Sequence, residues 1–230
     1  MPAVGYRLGL MKVAGADVWK GQWVVVVLED GRFDRAFVAP TIEAAIGNLP
    51  DATGIGVDIP IGLPDPGCRR PADELARSYV GARRQSVFMT PCLSLLRSPS
   101  LGEANQFAKA EGWDGISAQA YALGKLILQV QPVAERDARV VEIHPEVSFV
   151  RANQDVPLQW SKSTWGGTFL RRRILQDHGI VIPDDIGAAG AAGVADVLDA
   201  AIGGWSAARI ASGHGESLPH GANRIGAIWR

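Results

Sequence analysis

Four carboxylates sit at places where acidic side chains are costly unless a cation joins them. Asp17 lies in Gly-Ala-Asp-Val-Trp-Lys-Gly-Gln-Trp, and Asp58 closes the apolar run Gly-Ile-Gly-Val-Asp-Ile-Pro. Glu142 closes Ala-Arg-Val-Val-Glu-Ile-His-Pro, and Asp199 follows Asp196 by three residues in an Ala-rich stretch. Crowded like charges repel and raise one another's pKa. A divalent cation removes that penalty, and hard oxygen donors suit Mg²⁺ or Mn²⁺. The pattern points to a metal site drawn from Asp17, Asp58, Glu142, Asp196 and Asp199, serving a pair of ions.

These acids need elements to bring them together. Residues 6–17 read as a first strand, 22–29 as a β-branched second and 32–38 as a third, with turn signals at Lys20-Gly21 and Asp30-Gly31. Thr41 is a good N-cap for a helix over 42–49, and 54–59 is a short buried strand. Helices are expected over 72–84, 117–130, 145–152, 164–178 and 191–211, a fifth strand over 138–143, and a short edge strand within 224–229. Side chains alternate along a strand. Ile55, Val57 and Ile59 then share one face, and Gly56 and Asp58 the other; Val141 and Ile143 face away from Glu142. Ligands of α/β sheets bind beyond the carboxyl ends of strands, where both acids stand. Asp196 and Asp199 share a helix face. Gly203-Gly204 costs a helix about 1 kcal/mol per glycine, which close packing against another backbone offsets.

Proline is dense between 60 and 116, and this stretch reads as an insertion over the pocket of a single 1–230 domain. With 230 residues, 47% of them hydrophobic, one sizeable core is the expectation. A net charge of -1 gives no whole-molecule attraction for a polyanion, so a nucleic-acid contact needs a local basic patch. Cys68 and Cys92 lack CxxC spacing, and the four histidines fit no zinc pattern. The apolar run from Trp23 to Leu28 is too short to span a bilayer, and nothing resembles a signal peptide. A soluble, cytoplasmic protein without membrane contact is the expectation.

Several motifs resemble those of domain-of-unknown-function family 429, whose members are predicted RNase H-like nucleases. They are Gly15-Ala-Asp17 with Gly21-Gln-Trp23, Gly56-Val-Asp58-Ile-Pro60-Ile-Gly62-Leu-Pro64, Ser86-Val-Phe88-Met-Thr-Pro91, Ser117-Ala-Gln119, Val141-Glu142-Ile-His144-Pro145-Glu146, Lys162, and Asp196-Val-Leu-Asp199-Ala200. The resemblance implies an RNase H-like mixed sheet in the order β-β-β-α-β-α-β-α, with helices on both faces. It also implies metal-dependent cleavage of nucleic acid.

Two-metal phosphodiester hydrolysis would use one ion to activate water and the other to stabilise the leaving oxygen. Asp17, on the central strand, is the candidate bridge; Asp58, Glu142 and Asp199 complete the catalytic acids, and Glu146 is a further possibility. Lys162 would contact a phosphate or orient water, or is an ordinary surface lysine. Arg69, Arg83, Arg84 and Trp165 are the candidate substrate contacts, since Arg forks match phosphate and aromatic rings stack bases. Arg171-Arg172-Arg173 reads equally well as a solvated helix face. His144 would shuttle a proton or serve structure, and Ser86 and Ser117 lack the partners of a serine hydrolase. The partner is nucleic acid or a phosphorylated small molecule. The rival readings are an actin- or sugar-kinase-like phosphotransferase and a non-catalytic binding module.

Overall fold

The computed structural model describes residues 11–230, so residues 6–10 of the expected first strand lie outside the described residues. β1 (Lys12–Trp19), β2 (Gln22–Glu29) and β3 (Arg32–Ala39) form an antiparallel meander. Both of its turns are two-residue hairpins with left-handed backbone: φ is 49° at Lys20 and 77° at Gly21, 48° at Asp30 and 75° at Gly31. Such turns match the twist of the flanking strands. α1 (Ile42–Gly47), capped by the Thr41 side chain, leads to β4 (Ala52–Val57), which lies parallel to β1.

The proline-rich segment then carries α2 (Pro71–Tyr79), a 3₁₀ turn over Gly81–Ser86, α3 (Leu93–Leu96) and α4 (Leu101–Ala110). α5 (Ala118–Ala122) and α6 (Gly124–Arg136) precede β5 (Val140–Glu142), parallel to β4. α7 (Pro145–Ala152), α8 (Trp165–Asp177) and α9 (Val194–Ala211) follow, then β6 (Ser217–Leu218) and β7 (Ile228–Trp229), which pair with each other. The main sheet has the order β3-β2-β1-β4-β5, a mixed five-stranded arrangement.

Helices cover both faces, as the alternation in β4 requires. Ile55, Val57 and Ile59 pack with Ile42 of α1 and with Ile127, Val130 and Val133 of α6. On the opposite face Val13, Val24, Val26 and Leu28 pack with Val197, Leu198, Ala201 and Ile202 of α9 and Val147 of α7. Several element ends differ from expectation. The helix expected over 72–84 breaks at Gly81, whose φ is 59°. The helix expected to stop at 130 runs through Pro132 to Arg136, because Val133 and Ala134 continue its buried face. α3, α4 and β6 are additional to the expected elements.

The margins of the main sheet are β3 and β5. β3 carries Arg32, Asp34 and Arg35 in its first half and apolar residues from Ala36 to Ala39, and a bulge interrupts its ladder at Val27/Leu28. β5 is three residues long; Arg224 donates to the Val140 carbonyl at 2.6 Å, and Ile143 bridges to Trp229. Among the described residues, no helix is long and apolar enough to cross a membrane.

Candidate metal centre

The site begins with glycine. A Cβ on Gly15 would lie 1.9 Å from the Ala200 carbonyl oxygen, and one on Gly56 would lie 2.6 Å from that of Gly203. α9 therefore crosses β1 and β4 backbone against backbone. Gly15 and Asp17 share a face of β1, as Gly56 and Asp58 share a face beyond β4. The Asp58 amide donates to the Ala16 carbonyl at 2.9 Å, which carries the parallel pairing one residue further. Asp199, on the second turn of α9, comes down between the two strand-borne acids. One carboxylate oxygen from each of Asp17, Asp58 and Asp199 lies within 4.8 Å of the others.

Asp17 is 7% exposed and Asp199 1%, with Asp58 half-buried. Burial, then the charges of Asp58 and Asp199, raise the Asp17 carboxyl well above the usual carboxylate range. Burial and the Asp199 charge push Asp58 up to about 8. Burial pushes Asp199 up to about 6 against the pull of Lys162. The half-exposed Lys162 ammonium donates to Asp199 Oδ2 and is the nearest protein cation to the triad. Burial works against its charge, but Asp199 and Asp58 hold it protonated.

A cavity of about 450 Å³ opens over these acids. Buried polar atoms normally have partners. Five on the residues lining this cavity have none among the described residues: Asp199 Oδ1, Glu146 Oε2, His144 Nδ1, Thr90 Oγ1 and Arg83 Nε. Two are carboxylate oxygens, the donor type that Mg²⁺ and Mn²⁺ take. The residues present thus fit a hard cation.

Glu142 does not join the triad. In the parallel register it stands beside Val57, not Asp58. Its side chain nonetheless lines the same cavity as Asp58, and its charge adds to the upward push on the Asp58 carboxyl. There Arg70 grips it with both terminal nitrogens, at 2.6 and 2.5 Å, and the Ile61 amide donates at 2.6 Å. Arg70 also bonds Asp73 Oδ1, and Asp73 Oδ2 accepts from the Thr90 amide at 2.7 Å. Glu142 and Asp73 are thus committed to a buried guanidinium that ties β5 to the segment after β4. Removing one member of such a pair strands a buried charge at a cost of about 3–5 kcal/mol. The composition of 60–70 gives no sign of this clamp, but the Arg70/Asp73 spacing on a helix start with Pro71 does.

Asp196 lines the cavity, half-buried, outside the triad itself. Glu146 also lines it, and its Oε1 accepts from Arg171 at 2.5 Å. Arg171 is fully buried, not part of a solvated face; Gly167, Arg171, Ile174 and Leu175 form the inward stripe of α8. That stripe was readable from helical spacing. His144 Nε2 lies 3.3 Å from the Ser86 carbonyl and must donate to it, so Nδ1 carries the lone pair. Burial pushes this ring down to about 4, leaving it neutral at pH 7.

Of the expected substrate contacts, Arg83 lines the cavity. Arg84 is exposed and does not. Arg69 is drawn away into ion pairs with Asp114 at 2.6 Å and Glu74 at 3.5 Å. Trp165 is 89% exposed at the start of α8, outside the cavity wall.

Neither a curated protein nor a solved structure matches the chain. A family model does, over residues 15–224, a span that holds Asp17, Asp58, Lys162 and Asp199 together with the Arg70 clamp. The chain belongs to the family described as protein of unknown function (DUF429).

Proposed function

We propose that this chain is a divalent-metal-dependent phosphodiester hydrolase, a nuclease, on an RNase H-like fold. The observation that carries the reading is the convergence of Asp17, Asp58 and Asp199, from three separate elements, to within 4.8 Å. Three carboxylates at that range, two of them buried, repel one another when ionised, and Lys162 offsets only one of the charges, so a bound cation would relieve the rest. The sheet order β3-β2-β1-β4-β5, with an antiparallel meander and two following parallel strands, supports the RNase H-like reading. The segment 60–116 contributes Arg70, Arg83, Phe88 and Thr90 to the cavity wall, which supports its reading as an insertion over the site.

Asp17, Asp58 and Asp199 would hold Mg²⁺ or Mn²⁺, with Asp196 and Glu146 as further oxygen donors on the same wall. A bound ion of this kind supplies an acidified water and charge for the leaving oxygen. Lys162 sets a positive charge beside Asp199, where a substrate phosphate would be drawn. Arg83 offers its unpartnered Nε–H to a phosphate oxygen, in the planar geometry that phosphate matches. Neutral His144 offers an acceptor at Nδ1.

Titration calorimetry with Mn²⁺, combined with hydrolysis assays on single-stranded, duplex, hybrid and branched oligonucleotides, tests the reading. We expect micromolar-to-millimolar Mn²⁺ binding that Asp17→Asn and Asp199→Asn each abolish, with cleavage falling at least about 100-fold. Cleavage unchanged in both variants would remove the site.

A further inference from the structure

One exposed face lies just beyond the cavity. Ser161 and Lys162 line the cavity, and Thr164 caps α8 by accepting from the Gly167 amide. The Thr168 hydroxyl donates to the Lys162 carbonyl at 2.9 Å, and Arg171 donates to that of Trp160 at 3.2 Å, so residues 160–164 are folded against the first turns of the helix. On the outward side of α8 stand Trp165, 89% exposed, and Phe169, 58% exposed. They are four residues apart, on one helix face, and Arg173 follows at the same spacing with Arg172 beside it. Trp160, 48% exposed, packs under Gly166 at the same end.

Two large aromatics side by side on one exposed helix face form an apolar patch of the kind that marks an interaction surface. Arg172 and Arg173, one turn beyond Phe169 and exposed, form no ion pair among the described residues, unlike the buried Arg171 beside them. Exposed aromatic faces adjoining unpaired guanidinium groups are a means by which proteins hold single-stranded nucleic acid, through base stacking and phosphate contacts. A duplex keeps its bases stacked on each other and offers this stripe only phosphates. From Trp165 to Arg173 the helix rises about 12 Å. That length offers two stacking platforms followed by two phosphate contacts.

We propose that the Trp165–Phe169–Arg172–Arg173 face of α8 is a track for single-stranded nucleic acid, leading the strand past Lys162 to the cavity. Two neighbouring bases stack on Trp165 and Phe169, and the two arginines hold the phosphates that follow. The track stands on exposure, spacing and charge, and does not require the metal reading to hold.

Fluorescence anisotropy of a labelled twelve-residue oligothymidine, with the full chain in EDTA at about 50 mM salt, tests it. We expect saturable binding, at least tenfold weaker for a duplex of the same length. Trp165→Ala and Phe169→Ala should each weaken binding at least fivefold, and binding should quench tryptophan fluorescence in the unaltered protein but less in Trp165→Ala. Arg172→Ala and Arg173→Ala should each lower the slope of log affinity against log salt by roughly 0.7. Arg32→Ala, an exposed change on β3, serves as the control and should leave affinity unchanged. All of these side chains are exposed, and circular dichroism of each variant checks that it folds. No saturable binding, equal affinity for duplex, or unaltered affinity in both aromatic variants would overturn the track. So would a concentration-dependent dimer that Trp165→Ala dissolves, which would assign the face to a second copy. Strand binding without any Mn²⁺ binding would retain the track and sink the hydrolase; Mn²⁺ binding without strand binding would do the reverse.

Discussion

Asp58 titrates far above the usual range of an aspartate. Its carboxyl is pushed up to about 8, and that of Asp199 to about 6, both chiefly by burial. An unfolded aspartate titrates near 3.9, at about the usual peptide value. Between roughly pH 4 and 8 the folded state therefore holds more protons than the unfolded one, and stability falls as pH rises through that window. We expect the melting temperature in EDTA to drop from pH 5 to pH 8, and Asp58→Asn to flatten that drop. A thermal melt series across the window checks it; a profile that rises with pH would refute the crowding of these acids. At this scale the sequence was most readable for Asp17, Asp58 and Asp199, whose residue types and strand or helix positions announce a cation. The clamp on Glu142 was not readable, because its guanidinium partner Arg70 is brought from a distant segment by the fold.

The elements meet through glycine. Gly15, Gly56, Gly203 and Gly204 let α9 settle onto β1 and β4, and Asp199 is delivered to Asp17 and Asp58 by that contact alone. A methyl at position 15 would collide with the Ala200 carbonyl oxygen and, at 2.3 Å, with the Gly204 nitrogen. Backbone cannot yield as a flexible side chain does. Gly15→Ala should therefore destabilise by about 3 kcal/mol or more. It should also weaken Mn²⁺ binding even though no ligand changes; denaturant melts and calorimetry on the same variant check both. Gly47→Ala, with nothing within 4 Å of the added carbon, is the matched control. The Gly203-Gly204 pair signalled a close approach in the sequence. Its partner strands were not signalled, since a glycine shows that space is short without showing what fills it. Helix ends were read less well than helix positions, because tertiary burial carried α6 past Pro132.

At the scale of the whole molecule, the proposed ion would bridge the first strand, the end of the fourth and the last long helix, so its binding energy would be felt globally. Mn²⁺ at one hundred times its dissociation constant should stabilise by about 2.7 kcal/mol. For a chain of this size that corresponds to roughly 5–10 °C in melting temperature. Scanning calorimetry with and without Mn²⁺ measures it, and Asp199→Asn should lose the shift. The net charge of -1 leaves the full chain with no long-range pull on a polyanion, which confines any such attraction to local arginines.

The margins of the sheet carry a separate consequence. An unpaired strand is a template on which another chain can build. Here one border is studded with Arg32, Asp34 and Arg35 and kinked by its bulge, while the other is three residues long with Arg224 already seated on a carbonyl. A stray strand finds only the short uncharged run Ala36 to Ala39 on one side and three residues on the other. Concentrated solutions of the folded chain should consequently stay free of fibrils, and any precipitation should begin from molecules that have first lost the fold.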